Sequence, residues 1–452
     1  MLFGRSKELK ELEDQYSAAK NTITMLYGRK DIGKTSLIKE FLNGKTYIYY
    51  EAVLASEKEQ YNLFYNTVND KITTINDSGY GSLFEAILQM DKKVVLVIEE
   101  FQNIARYNKA FMNELVNTVS MDTNNQLTVI LTSSSVNWIE NNLVAAIGMN
   151  AMYISSFIKL KELNFVDTVK MFAKYDIMDA ITVYAITGGV PGYLRNFSDK
   201  QSIKENICNS ILNPCSNMSN AAYVFLKDEL REISTYSTIL KALAEGRYKL
   251  NDLYTYTEFG RDKISVYMKN LMGLELIEKM FSYDVNDKVN TKKGMYKIKT
   301  GYMEFYYKFI YPNQTDMNML SAQEFYDKHI DSNMQEFISE AFIKVCTEYL
   351  ELLASIRQLP LETVARKSRW WGKNGNIDII FEGEDGKCLA GKCNCTEDAM
   401  KYSDYEDLVE CMKLAKIEPE YIYLFSKGTF GARLQELAKS DKRVALISID
   451  DF

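Results

Sequence analysis

Residues Gly28-Arg29-Lys30-Asp31-Ile32-Gly33-Lys34-Thr35-Ser36 follow the spacing GxxxxGK[ST], and no other stretch constrains the fold of this chain as strongly. The segment before it, Asn21–Tyr27, is dense in β-branched and aliphatic residues and reads as a short buried strand. After it, Leu37, Ile38, Phe41 and Leu42 recur at helical spacing. Strand, glycine loop and helix in that order form a cradle for phosphate. Gly28 and Gly33 permit backbone angles that turn successive N–H groups inward. The helix N-terminus adds its partial positive charge. Lys34 is placed to reach the β- and γ-phosphates, and the Thr35 hydroxyl to ligate magnesium. The whole loop from Gly28 to Ser36 is therefore expected to hold ATP with Mg²⁺.

A second strand supports the first. Lys93–Ile98 is a nearly continuous apolar run, as a central parallel strand requires, and it ends in Glu99-Glu100-Phe101-Gln102. Acids at such a strand end lie in the crevice where open α/β sheets bind ligands. Glu99 is expected to hold magnesium through water, and Glu100 to polarise the attacking water. Phosphate-binding loops of this kind usually pair with Asp at the first position. The extra methylene of Glu99 displaces the carboxylate, and such misplacements can cost about 10²-fold in rate, so binding is the safer expectation than fast turnover. A third strand, Leu127–Thr132, leads to Ser133-Ser134-Ser135. Ser134 is the candidate to sit between the γ-phosphate and the acidic pair, although serines after strands are also ordinary turn material.

Other classes of chemistry fall away on composition. His329 is the only histidine, which excludes multi-histidine metal sites. The seven cysteines are scattered over 452 residues and read as reduced thiols rather than a disulfide framework. No apolar run reaches the roughly 18 residues of a membrane span, and Met1-Leu2-Phe3-Gly4-Arg5 lacks the layout of a signal peptide. A cytoplasmic protein without membrane contact is expected. The net charge of −7 argues against a surface that coats nucleic acid throughout, but not against a local basic face.

Beyond the first sheet the rhythm changes. Gly188-Gly189-Val190-Pro191 breaks a helix and starts a tight turn. Tyr236–Ala244, Lys249–Leu253 and Asp262–Leu271 read as helical, with a strand opening at Gly273–Ile277 and a hairpin partner at Met295–Ile298 across the polar Asp284–Lys293. That order is a winged helix, an elaboration of helix-turn-helix. Residues 231–300 carry thirteen Lys/Arg against nine Asp/Glu inside an acidic chain. Arg261, Lys263 and Lys269 are candidate phosphate contacts, and winged helices serve protein contacts as well as DNA. The last part combines a helix at Phe337–Leu352, a strand region at Arg369–Ile380, strands at Tyr421–Phe425 and Val444–Ile449, and a helix at Ala432–Ala438. A structural zinc site at Cys388, Cys393 and Cys395 is not expected, because the spacing lacks a paired C-x-x-C.

Together these pieces resemble a prokaryotic, chiefly archaeal family of AAA+ ATPases related to the signal-transduction ATPases with numerous domains. The resemblance is carried by Phe3-Gly4-Arg5-x-x-Glu8-Leu9, Gly28–Ser36, Val97–Gln102, Gly188-Gly189-Val190-Pro191-x-Tyr193-Leu194 and Arg369-Trp370-Trp371-Gly372. It implies an α/β fold: a P-loop core with a parallel sheet over residues 1–155, a helical lid over 156–230, a winged helix over 231–312, and a small restriction-endonuclease-like α/β domain over 313–452. It also implies that Phe3 and Arg5 lie near the adenine and that Pro191 faces the nucleotide. In nucleases of that fold, a helix Glu, a strand Asp and a Glu-x-Lys hold the metal. Glu340 and Asp378 fit the first two positions, but the third reads Lys392-x-Asn394. A cation repels Mg²⁺ where a carboxylate is needed, so the nuclease site is expected to be inactive. The resulting expectation is an ATP-binding, ATP-hydrolysing switch that acts on double-stranded DNA, a protein partner or a second copy of the chain. The competing readings are an ATP-dependent nuclease of a defence or mobile-element system and a nucleotide-holding scaffold without turnover.

Overall fold

The computed structural model describes residues 2–72, 79–108, 110–121, 126–285 and 294–452. Of the expected polar connection Asp284–Lys293, residues 286–293 lie outside the described residues, including Asp287, Lys288, Lys292 and Lys293 from the charge balance. The chain forms two compact units. The first is Met1–Leu163 with Val190–Gly192, and the second is Asn164–Gly189 with Tyr193–Phe452.

In the first unit, strands β1 (Thr22–Tyr27), β2 (Thr46–Glu51), β3 (Val94–Glu99), β4 (Leu127–Ser133) and β5 (Ser156–Lys159) form one sheet in the order β2-β3-β4-β1-β5. Every neighbouring pair is parallel. This is the parallel P-loop sheet that the resemblance implied. The central strands β3 and β4 are buried along their whole length, which is why they read as unbroken apolar runs. Alternate residues feed two cores, one on each face. Leu26, Val95, Val97 and Ile130 pack under the helix Lys34–Phe41 and beside Leu12 of the helix Ser6–Ser17. Met25, Leu96, Ile98 and Leu131 face Phe64, Phe84, Phe111 and Trp138. Because β4 lies between β1 and β3, the ends of three strands meet at one edge, where Tyr27, Glu99 and Ser133 are the last strand residues.

The second unit begins with helical segments, of which Ile177–Thr187 ends at Gly188 in the left-handed region (φ 64°). Helices Ile233–Ala244, Leu250–Thr257 and Arg261–Gly273 follow, then an antiparallel hairpin of β6 (Ile277–Met280) and β7 (Met295–Ile298). The strand expected to open at Gly273 therefore starts only at Ile277. Gly273 is the last helical residue, and the left-handed stop falls instead at Glu275 (φ 56°). Leu276 N donates to Leu271 O at 3.0 Å, which completes a Schellman-type ending without a glycine at the turn.

A long helix, Met334–Ser355, leads into the second sheet: β8 (Arg366–Trp371), β9 (Asn376–Glu382), β10 (Cys388–Asn394), β11 (Tyr421–Ser426) and β12 (Val444–Ser448). The order is β12-β11-β10-β9-β8. β8, β9 and β10 form an antiparallel meander, whereas β10, β11 and β12 run parallel through the crossover helices Tyr402–Ala415 and Ala432–Ser440. No helix among the described residues is long and apolar enough to cross a membrane.

Glu304, on the helix Gly301–Phe305, lines a cavity of about 260 Å³ together with Lys297, Glu340 and Arg369. Burial first, and then the neighbouring Glu340, push its carboxyl from 4.5 to about 7, against the pull of Lys297 and Lys308. The folded state thus keeps a proton that the unfolded state releases between these values. Stability from this group falls as pH rises from 4.5 to about 7 and stays lower above. Glu304→Gln should therefore raise the thermal midpoint at pH 8 by about 2–4 °C and leave it unchanged at pH 4.5. Paired scanning calorimetry at the two pH values checks this.

Candidate active site

The glycine loop is tied down on several sides before its interior is considered. Gly28 N donates to Ser133 O at 3.2 Å, and Leu160 N donates to Tyr27 O at 2.8 Å. A Cβ on Gly28 would stand 2.6 Å from Leu160 O, so only glycine fits there. Arg5 is buried, and its Nη2 donates to Ile32 O at 3.0 Å and to Lys161 O at 2.6 Å. Arg29 is ion-paired with Glu162. Both guanidiniums, expected near the nucleotide, thus brace the loop through its backbone and through the segment after β5. Phe3 is half-buried, and Lys30 lies exposed in the loop.

The tip of the loop meets the turn after the Gly188-Gly189 break. Asp31 adopts φ 65°, an uncommon conformation for a residue with a side chain, and its carbonyl accepts from Gly192 N at 2.9 Å. A Cβ on Gly192 would lie 2.4 Å from Asp31 Cβ. Gly33 (φ 98°) caps the helix Lys34–Phe41, and Pro191 Cγ lies 3.7 Å from where its Cβ would be. Sequence positions 31–33 and 190–192 are thus one local structure.

Inside the loop, Lys34 Nζ donates to Gly28 O at 2.8 Å and Arg29 O at 3.2 Å. Burial lowers its pKa, opposed by the negative charge of Glu100, Glu99 and Asp31. Thr35 Oγ1 and Glu99 Oε1 are 2.8 Å apart, so the longer acid does reach the hydroxyl. Glu100 sits at φ 50° just past β3, its N–H on Thr132 Oγ1 at 3.3 Å. Its Oε2 accepts from Ser134 N at 3.1 Å, Ser134 Oγ at 2.7 Å and Gln102 Nε2 at 2.5 Å. These donors converge on one oxygen and hold the carboxylate by it. Ser134 is placed beside the second acid. The part played by Gln102 was not anticipated, nor was Tyr49, whose hydroxyl faces Glu99 and Thr35. Burial and then Glu99 push the Tyr49 phenol well above its ordinary range. Its place depends on the register of β2 against β3, which no local motif encodes.

In the second unit, Glu340 and Asp378 do come together, but around protein cations. Arg369 lies 2.8 Å from Glu340 and 3.8 Å from Asp378. Lys297 lies 2.8 Å from Glu340, and Lys392 lies 3.7 Å from Asp378 while donating to Asn376 Oδ1 at 2.7 Å. Asp378 also accepts from Cys393 N at 2.9 Å. Burial pushes the Glu340 carboxyl up, yet Arg369 and Lys297 hold it at about 2. Asn394 is turned away to Asp398 O at 3.0 Å. No group of three or more His, Cys, Asp or Glu among the described residues could hold a metal ion. On the helix Arg261–Gly273, Ile264, Tyr267, Met268 and Leu271 face inward, while Arg261, Lys263 and Lys269 are exposed.

A glycine loop entering a helix, a buried strand ending in two acids and a serine beside the second acid, all on a β2-β3-β4-β1-β5 sheet, define a P-loop ATPase core. Residues 2–197 match the model of an ATPase domain predominantly from Archaea, and residues 306–406 match a domain of archaeal and bacterial proteins of unknown function. The chain accordingly carries a P-loop ATPase domain, similar over residues 2–197 to that archaeal family, and a C-terminal sheet domain. Along its whole length it is 25% identical to an uncharacterized protein of Methanocaldococcus jannaschii, covering all of both chains. An uncharacterized ATP-binding protein of the same organism is 44% identical over 45 residues, 10% of this chain and 76% of its own. Two solved structures also align with it. The Walker-type ATPase of Pyrococcus abyssi does so at 18% identity, over 68% of this chain and 96% of its own, with a TM-score of 0.49. The ORC2 protein of Aeropyrum pernix does so at 13% identity, over 70% and 95%, with a TM-score of 0.45.

Gly192→Ala should push Asp31 and distort the loop, since overpacking costs about 1–3 kcal/mol. The expected outcome is roughly tenfold weaker ATP binding with an unchanged circular dichroism spectrum, measured by isothermal titration calorimetry.

Proposed function

We propose that this protein is an ATP-hydrolysing switch that binds MgATP at Gly28–Ser36 and couples nucleotide state to contacts on double-stranded DNA. The observation that carries the reading is the paired placement of Glu99 on Thr35 and of Glu100 on Ser134 and Gln102. A hydroxyl and a carboxylate oxygen at 2.8 Å are hard donors of the kind Mg²⁺ accepts. Bound there through Thr35 and, by way of water, Glu99, the ion would offset charge on the phosphates. The backbone N–H groups of Arg29, Lys30, Asp31, Ile32, Gly33 and Ser36 hold the phosphate oxygens. Lys34 turns from the carbonyls of Gly28 and Arg29 to the β- and γ-phosphates. Glu100 uses Oε1 to take the proton of the attacking water, with Oε2 fixed by Ser134 and Gln102. Phe3, Arg5 and Pro191 border the nucleotide, Arg5 acting through the carbonyl of Ile32.

We read the rest as a helical lid, then a winged helix (231–312) and a nuclease-like domain (313–452) that has lost cleavage. The lid begins only after β5, because Ser156–Lys159, expected in the lid (156–230), is the edge strand of the core sheet. Helices ending in the hairpin β6/β7 support the winged helix, and the exposed Arg261, Lys263 and Lys269 support its use on DNA phosphates. The nuclease reading loses ground because the places a metal would take beside Glu340 and Asp378 are filled by Arg369, Lys297 and Lys392.

ATP turnover with and without double-stranded DNA tests the switch. Glu100→Gln should lose about 10²–10⁴-fold in rate while still binding ATP, and Lys34→Ala should lose binding by about 10–100-fold. Wild-type protein without turnover under any condition would leave only a nucleotide-holding scaffold. Turnover indifferent to DNA would point to a protein partner or a second copy. In a separate assay, supercoiled plasmid should stay intact with Mg²⁺ and ATP. Nicking that disappears in Asp378→Ala would restore the nuclease.

A further inference from the structure

We infer that Tyr49 is a positioning residue of the magnesium site, its hydroxyl holding the Glu99 carboxylate on Thr35. The inference rests on the reading of Thr35 and Glu99 as the magnesium pair. β2 runs parallel to β3, with Tyr49 beside Val97 and Glu51 beside Glu99. Side chains alternate along a strand, so Tyr49 shares a face with Val97 and Glu99. That face is the one covered by the helix Lys34–Phe41, and the Tyr49 ring packs on the cluster containing Leu37, Ile38 and Val97. Glu99 lies two residues further along the parallel direction, roughly 6.6 Å of strand rise, which a tyrosine side chain spans. Its hydroxyl accordingly faces Glu99 and Thr35 together, with Glu51 as the other charged group near it.

The residue answers a difficulty created by Glu99 itself. A glutamate has one more rotatable bond than an aspartate, and fixing it costs conformational freedom when a ligand binds. A neutral hydroxyl donating to a carboxylate makes a strong bond and leaves the negative charge in place. An aspartate at this position would end one methylene short of the phenol. Tyr49 and Glu99 therefore work as a pair, and the tyrosine has no task in a site with the shorter acid.

The test uses four full-length proteins: wild type, Tyr49→Phe, Glu99→Asp and the double variant. Binding of a fluorescent ATP analogue is measured in EDTA and across a Mg²⁺ titration, alongside kcat and the Mg²⁺ dependence of turnover. Tyr49→Phe should move the Mg²⁺ midpoint about tenfold upward while leaving affinity in EDTA and the thermal midpoint unchanged. In the Glu99→Asp background the same substitution should move the midpoint less than twofold. An equal shift in both backgrounds, or an equal loss in EDTA, overturns the pairing. Wild-type binding that ignores Mg²⁺ sinks the reading of Thr35 and Glu99 and the inference with it. Wild-type binding that needs Mg²⁺ while Tyr49→Phe is unaffected sinks the inference alone.

Discussion

The placement of β4 between β1 and β3 is the constraint on which the ATPase core depends. Parallel pairing on both sides of β4 brings three strand ends to one edge, and each end delivers a different chemical part. β1 delivers the glycine loop, β3 the two acids and β4 the serines. The bond from Gly28 N to Ser133 O and the bond from Phe101 N to Thr132 O show the same strand fixing both neighbours. A polar crevice at this edge is physically reasonable because both faces of the sheet below it are apolar and close-packed, so the ends cannot drift independently.

Within that edge the electrostatics are closely balanced. Burial lowers the Lys34 pKa, and the negative charge of Glu100, Glu99 and Asp31 opposes that shift. Glu99 and Glu100 in turn accept from hydroxyl and N–H groups. This matters for a site that must accept anionic phosphates. A Lys–Glu ion pair would have to be broken on binding, whereas a lysine resting on the carbonyls of Gly28 and Arg29 gives up only neutral acceptors. The arginines of the region, Arg5 and Arg29, are spent on the loop's frame. Two residues of this edge, Asp31 and Glu100, sit at positive φ.

How much of this was legible in the sequence depended on how local the determinant was. The shared placement of Gly28–Ser36, Glu99, Glu100 and Ser134 at one edge could be read because each follows or ends a strand legible as an apolar run. Tyr49 could not, since its contact with Glu99 exists only once β2 is registered against β3. Gln102 stood in a quoted motif, but its bond to Glu100 requires the positive φ that turns the chain at that point. The strand expected to open at Gly273, the last residue of the helix Arg261–Gly273, starts only at Ile277. Buried Leu271 keeps that helix in the core, and Glu275 takes the left-handed position that a glycine usually fills. Lys392 and Asn394 marked a departure from the nuclease pattern, but their sequence neighbourhood gave no hint of Arg369 and Lys297.

Those two cations settle what kind of place the C-terminal carboxylates occupy. Asp378 is buried and Glu340 beside it is partly exposed. A buried carboxylate needs positive charge or strong donors, because desolvation of an uncompensated charge costs several kcal/mol. A divalent ion is one way to supply it, and protein cations are another. The two are mutually exclusive at the same oxygens. Here Glu340 is shared by Arg369 and Lys297, and Asp378 is shared by Arg369, Lys392 and the Cys393 N–H. The cations come from β7, β8 and β10, so the network ties the hairpin, the long helix and the second sheet into one unit. Charge that a nuclease would keep available for metal and substrate is used here for cohesion within the unit.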